Sequence, residues 1–474
     1  FAALGRRIGH LRSGSYGLSG EVRADEVNQV GIQGAQGSVV PLTSLRGTTG
    51  RESAQWGGLA NFSVMAGRNS RISFNNTFTR SADNEARQDR GFDENQGDTI
   101  ARTTLRYVQR QLLSTNLQGE HQFGDRNRSE WSGTFAATSR REPDRSDVVY
   151  ARQRNGTFQL LAGLDGARRL YFDLQEQNAI VQGSHTIRLG ELSRNNSVKV
   201  GGYYRYTVRD ADAPIFSWIS RAGPDVTQQR PEVIFGASQA CDACANINIQ
   251  PIRQAGSYFA QDVTGAGFAQ GEWGLGSRVR LIGGARAEQA QIRVRSTTQG
   301  GARERARLNN LDVLPSLIVN TKLTESQNLR FAATRTLARP EYRELAPVTF
   351  RDVLGGVSVT GNQNLGRTLI DNLDLRWEWF PDAEEVVSLG VFAKRFQDPI
   401  ERVEQATSGA YQATFQNALS AQNFGAELEL RKRLGFVGGW ARGLTGFVNL
   451  TVMDSRVTLD TARGLTVTDR ERRM

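Results

Sequence analysis

No stretch of about 18 apolar residues occurs in this sequence, so transmembrane helices are excluded. Proline and cysteine are sparse, Pro 11 and Cys 2 against Gly 50, and the Ser/Pro bias of a disordered chain is missing. That balance suits many strands joined by turns, and the chain is expected to fold. No charged n-region, apolar h-region and cleavage site follow Phe1, so no signal peptide is visible; either a leader was removed or the start of the chain is missing. A basic patch is also lacking: the net charge is +10, but arginine dominates and is spread along the whole length, which argues against a nucleic-acid partner.

The mean hydropathy of -0.47 resembles that of a soluble protein. A transmembrane barrel has the same low value, because its strands place apolar residues only at every second position while lumen and loops are polar. Period-two alternation is the strongest pattern present. From Asn372 to Trp379, Leu373, Leu375, Trp377 and Trp379 alternate with Asn372, Asp374, Arg376 and Glu378. From Phe424 to Arg431, one face is apolar and the other carries Glu427, Glu429 and Arg431. Val198 to Arg209 and Val448 to Met453 repeat the design, and weaker examples run over 56–66, 72–78, 113–123, 131–137, 170–189 and 279–287.

Connections alternate in length. Short turns are expected at Ser13–Tyr16, Gly67–Ser70, Gly124–Arg128, Gly190–Asn196, Gly274–Ser277, Thr324–Asn328, Pro381–Glu385 and Gly435–Gly439. Long polar links are expected near 27–54, 81–100, 139–168, 210–257, 290–309, 338–368 and 399–422. Short on one side and long on the other is the layout of an outer-membrane barrel with periplasmic turns and extracellular loops. The expected fold is therefore all-β, an antiparallel transmembrane β-barrel with about sixteen strands. Several strands exceed the roughly ten residues that cross a bilayer and should form a raised rim. The polar tail from Thr466 to Met474 is not expected to be a closing strand.

Two further segments resemble a known family. LPSLIVNTKLTESQNLRFAATRTLARPEYREL runs from Leu314 to Leu345, and GNQNLGRTLIDNLDLRWEWFP follows a little later. Ala338, Arg339, Pro340, Glu344 and Leu345 match an Ala-Arg-Pro-x-x-x-Glu-Leu element of TonB-dependent outer-membrane receptors, and Gly361, Asn362 and Leu365 match a Gly-Asn-x-x-Leu step. Pro340 lacks an N–H and ends strand pairing, while Arg339 and Glu344 are expected to pair at the loop base. The resemblance is sharpest over 310–455. It implies that residues 1–474 are one outer-membrane barrel domain, part of a 22-stranded barrel whose plug, TonB box and last strands lie outside this sequence.

By the same resemblance the function is energised import of a scarce nutrient, a siderophore, cobalamin or an oligosaccharide. The implied partners are the TonB complex, acting through a plug, outer-membrane lipid and lipopolysaccharide, and an extracellular small-molecule or glycan ligand. A passive porin or secretion barrel and a secreted glycan-binding or adhesive β-protein are the alternatives. No nucleophile, base and orienting group can be assembled, so no catalytic residue, metal ligand or cofactor is assigned.

Cys241 and Cys244 lie in the link at 210–257; their spacing could suit zinc or redox chemistry, but His10, His121 and His185 lie on other segments, and a local disulfide in an oxidising exterior is the preferred reading. His121 falls on an apolar-facing alternation near a turn. Glu427 and Glu429 read as part of a charge ladder rather than as a glycosidase pair. Tyr204, Tyr206, Trp377, Trp379 and Trp440 are expected near strand ends, where amphipathic rings suit a membrane boundary.

Overall fold

The computed structural model describes residues 2–3, 8–33, 38–94, 96–191, 196–236, 246–252, 256–297, 301–350, 358–406, 411–459 and 471–473. Among them fifteen long strands form one antiparallel meander. The first six are β1 (Ile8–Gln33), β2 (Ser38–Met65), β3 (Ser70–Asp93), β4 (Asp98–Phe123), β5 (Asn127–Arg152) and β6 (Ala167–Leu189). β7 (Asn196–Asp212), β8 (Tyr258–Leu275), β9 (Val279–Thr297) and β10 (Arg303–Thr324) follow. β11 (Gln327–Ala338), β12 (Thr368–Trp379), β13 (Val386–Gln397), β14 (Ser420–Arg433) and β15 (Thr445–Thr458) complete it. Each pairs with the next, and β1 and β15 do not pair with one another among the described residues.

All four strong alternations lie inside strands, and register turns them into belts. Leu329, Trp377, Leu389, Leu428 and Leu450 are directly opposite one another across β11 to β15 and form a single apolar row. The other face carries polar rows. There Arg376 stands opposite Gly390, and with no side chain in its way it reaches Glu429 Oε2 at 2.7 Å. Glu429 is thus a rung of a charge ladder, as its sequence position suggested. Glycine also relieves crowding at Gly271, where a Cβ would sit 1.7 Å from the Trp273 ring.

Seven of the eight expected short turns separate consecutive strands; the eighth, Ser13–Tyr16, lies within β1. The expected links at 27–54, 81–100 and 290–309 are largely strand, and β5 continues through 139–152. Their polarity hid them. Beyond the apolar belt, strand pairing is held by charge on the inner face: Glu21, Arg51, Glu85 and Arg106 are successive neighbours across β1 to β4. Arg51 bonds Glu85 at 2.7 Å, and Arg106 bonds Glu142 on β5 at 3.0 Å. With 23 to 28 residues, β1 to β6 reach roughly 75–90 Å at ~3.3 Å per residue. β11 to β13 have only 12 residues each, so the rim is tall on one side and low on the other. In the polar tail, Glu471–Arg473 pairs with Arg456–Thr458 of β15 and, among the described residues, not with β1. Its backbone extends the β15 edge.

The remaining links at 210–257, 338–368 and 399–422 hold secondary structure of their own. Ile215–Ser220 pairs with Ile247–Ile252 and with the start of β6. Short helices at Pro224–Thr227 and Pro231–Ile234 bring Ile234 against Val148, Leu160 and Ala167, and Tyr150 Oη donates to the Gln229 carbonyl at 2.8 Å. Burial first, and then the charge of Glu232, pushes the Tyr150 phenol up to about 12, so it remains a donor.

At the short-turn end, His121 takes a hydrogen bond from Trp131 Nε1 at 2.9 Å, its other ring nitrogen lies 3.0 Å from Ser70 Oγ, and its ring stacks beside Trp131 and Phe123. Trp379 and Trp440 are exposed at that end, and Trp377 donates to Gln327 at 3.2 Å; Tyr204 and Tyr206 are exposed at the middle of β7 rather than near a strand end as expected. His185 bonds Ser129 at 2.8 Å on a separate pair of strands, and His10 is on β1.

Candidate functional site: a lid docked on the inner wall

β11 ends at Ala338, paired with Thr368, because Pro340 offers no N–H to continue the ladder. The chain then forms a one-turn helix, Tyr342–Leu345, started by a capping box: Glu344 Oε2 accepts the Glu341 N–H at 2.8 Å, and the Glu341 side chain accepts the N–H of Glu344. The expected Arg339–Glu344 pair is therefore not what forms. Glu344 is held by the cap, while Arg339 Nη1 lies 2.7 Å from Glu288 on β9 and Nη2 lies 3.9 Å from Asp312 on β10. The wall acids are mostly buried, and Arg339 is drawn to them because an uncompensated carboxylate there would be costly.

The segment lies inside the roll. Leu345, Ala346, Val348 and Leu365 pack on Ala260 of β8, Ile292 and Val294 of β9, and Leu308 of β10. Tyr342 Oη donates to Asp262 Oδ2 at 3.0 Å, Arg205 of β7 bonds the same oxygen at 2.8 Å, and the Arg209 guanidinium sits 4.8 Å over the Tyr342 ring. Arg367 donates to Asp312 where the segment returns to β12. Burial, reinforced by Asp262, raises the Tyr342 phenol, so it stays a hydrogen-bond donor.

The Gly-Asn-x-x-Leu step ties this segment to the loop after β13. A Cβ on Gly361 would lie 2.0 Å from the Ala346 carbonyl oxygen, so only glycine fits. Asn362 donates its backbone N–H to the Glu344 carbonyl at 2.6 Å and its side-chain amide to the Phe415 carbonyl at 2.9 Å. Thr349–Phe350 and Ser358–Thr360 join Ile400–Ala406 and Tyr411–Asn417 in a separate four-stranded sheet. The two loops thus form one lid. Beside it a cavity of about 410 Å³ is lined by Arg339, Glu341 and Glu344 from the lid and by Phe396, Asn423 and Ser455 from β13 to β15. The lid packs on β8 to β10 and bounds this cavity together with β13 to β15, so this face is the concave one.

All eight residues of the family motif, Ala338, Arg339, Pro340, Glu344, Leu345, Gly361, Asn362 and Leu365, come together here. Cys241 and Cys244 lie outside the described residues. Asp262, Glu288, Asp312 and Tyr342 were not singled out in the sequence, although an acid at an inward position between outward apolar residues, as Asp312 is between Leu311 and Val313, is a readable signal.

Burial raises the Glu344 carboxyl and the nearby charge of Glu341 adds to this, against the opposing Glu341 N–H. A raised carboxyl favours the docked lid at acidic pH, and that stabilisation is lost as pH rises through its shifted pKa. Spin labels on lid and wall, followed from about pH 4 to pH 8, should show the undocked fraction rising with pH, and Glu344→Gln should flatten the curve. Equal pH dependence in both proteins would assign the transition to another group.

Solved structures with this fold include the ferric-catecholate import receptor Fiu from K12 E. coli, at TM-score 0.55 and 11% identity, covering 95% of this chain and 65% of that one. The copper transporter OprC has TM-score 0.54 and 13% identity, covering 95% and 64%. The siderophore receptor PiuA from Acinetobacter baumannii has TM-score 0.51 and 10% identity, covering 94% and 64%. The chain spans less than two thirds of the length of these three. No curated protein matches the sequence. Residues 43–471 match the family described as TonB dependent receptor-like, beta-barrel. With its alternating strands rolled into an antiparallel barrel wall and its Arg-Pro and Gly-Asn elements seated inside, the chain belongs to the TonB-dependent receptor-like β-barrel family of outer-membrane transport receptors.

Proposed function

We propose that this protein is an outer-membrane receptor that imports a scarce nutrient, a metal–siderophore chelate, through energy supplied by the TonB complex. The docked lid carries the reading. A loop segment docked on the inner wall by an apolar core, an Arg339–Glu288 pair and a Tyr342–Asp262 hydrogen bond suits a gated uptake path better than a passive pore. The cavity beside the lid mixes guanidinium, carboxylate, amide and aromatic groups, which suits a polar chelate with planar rings. Family membership and structural neighbours that carry ferric-catecholate, siderophore and copper cargo point the same way.

Uptake of radio-iron bound to a catecholate siderophore is the test, measured in cells that express the protein with TonB present or deleted. Uptake should be saturable and should disappear without TonB. Uptake that is linear in concentration and unchanged without TonB would replace this reading with a passive porin.

A further inference from the structure

Arg339 holds the lid to the wall chiefly through one oxygen of one carboxylate. Its Nη1 lies 2.7 Å from Glu288 Oε1, while Nε and Nη2 are buried and make no hydrogen bond. Glu288 is 7% exposed on β9 and stands directly opposite Asp312 on β10. Like charges at opposed positions of a sheet repel, so this pair alone would not keep the Glu288 carboxylate turned towards the lid. Asp312 is answered by Arg367, which donates to it. The second oxygen of Glu288 is answered from the wall: Arg286, two positions earlier on β9, donates to Oε2 from Nε at 2.8 Å and also from Nη2. Each oxygen of Glu288 thus has its own arginine, Oε1 from the lid and Oε2 from the wall.

Arg286 is itself held in place. Its guanidinium lies 5.0 Å from the centroid of the Tyr203 ring. Tyr203 on β7 and Glu288 on β9 both stand opposite Ala266 of β8, in one inward row, and the methyl group of Ala266 is too small to separate them. Arg286 is in the next row towards the short turns, opposite Phe268, and with Phe268, Tyr203, Lys199 and Gln182 it lines a wall cavity of about 320 Å³. Lys199 is taken by Glu130 at 3.1 Å. Among the described residues Arg286 is therefore the one wall cation bonded to Glu288, and it faces the lid's arginine on one side and the cavity on the other.

We infer that Arg286 is a positioning residue for the gate: it keeps the Glu288 carboxylate turned towards Arg339, and so joins the wall cavity to the release of the lid. The inference rests on the lid acting as the gate proposed above. Hydrogen bonds between a guanidinium and a carboxylate are roughly twice as strong as neutral ones, and two on a single oxygen fix the rotamer of the carboxylate. Without Arg286, Glu288 is free to turn and is opposed only by Asp312, so the lid loosens although no lid residue has changed. The Tyr203 ring acts one step earlier, by keeping Arg286 where it meets Oε2.

The test is amide exchange at Leu345, Ala346 and Val348, measured on the full receptor in detergent micelles with neither siderophore nor TonB present. Arg286→Gln should accelerate exchange about 10-fold, the effect of one hydrogen bond to a charged group, and Arg286→Lys should recover most of the protection. Tyr203→Leu should accelerate it about 3-fold, the effect of one cation–π contact. In a Glu288→Gln background the apolar core and the Tyr342–Asp262 bond still hold the lid, and there both Arg286→Gln and Tyr203→Leu should add nothing. Heat-modifiable migration of each variant checks that the barrel is folded. Acceleration by Arg286→Gln of equal size in the two backgrounds, or no acceleration in either, would overturn the assignment. Failed uptake would remove the gate reading and leave this exchange pattern intact, whereas a failed cycle leaves TonB-dependent uptake untouched.

Discussion

Replacing Asp89 with asparagine is expected to lower the stability of the barrel by ~3–5 kcal/mol, the usual cost of breaking a buried charge pair. Asp89 is 4% exposed on the inner face of β3. Its carboxylate takes two hydrogen bonds from Arg102, at 3.1 and 2.6 Å, and one from Arg87 at 2.9 Å. Asparagine has the same shape but turns one acceptor into a donor, so an N–H would face an N–H while both guanidinium groups lose the negative charge of Asp89. Gly47, directly opposite, leaves no room for a rearrangement: a Cβ there would already lie 2.4 Å from Asp89 Oδ1. Urea unfolding in vesicles, followed by tryptophan fluorescence, measures the loss. A change below ~1 kcal/mol, the range of an exposed ion pair, would mean that water reaches the site.

Gly361→Ala is expected to undock the lid without unfolding the barrel. The new Cβ would meet the Ala346 and Arg343 carbonyl oxygens at 2.0 and 2.7 Å, both backbone, so no side-chain rotation relieves the clash. Overpacking of this kind costs ~1–3 kcal/mol, which raises the undocked population from several-fold to more than a hundredfold. Amide exchange at Leu345, Ala346 and Val348 should accelerate by that factor, with β8 to β10 unchanged. Gly366→Ala is the control, since its Cβ would meet only Asn417 Oδ1 at 3.7 Å. Equal exchange in both variants would show that Gly361 does not hold the lid in place.

The two experiments probe regions that were unequally legible. Strands such as β12 and β14 announce themselves because one face is apolar for the length of the belt, and seven turns follow because Gly, Asn and Asp mark them. The upper halves of β1 to β5 could not be read that way. Their inward positions carry Glu21, Arg51, Glu85, Arg106 and Glu142, and charge at alternate positions looks like a polar loop until the neighbouring strand supplies its opposite. The motif at 338–365 was visible as a resemblance. The partner of Arg339 was not, because Glu288 is 51 positions earlier and only the roll of the sheet brings it within 2.7 Å.

What the residues determine by themselves is local: period-two alternation, a proline that ends β11, a capping box that starts a helix, and glycine at tight turns. Each needs only neighbours in the chain, since it depends on which backbone angles are allowed and which face a side chain takes. Tertiary structure decided the rest. Register set Glu288 against Asp312 and Arg376 across Gly390 from Glu429, and curvature placed the lid on Asp262, Glu288 and Asp312. Coulomb and hydrogen-bond interactions depend on distance in space, and for residues scores of positions apart that distance exists only once the sheet has rolled.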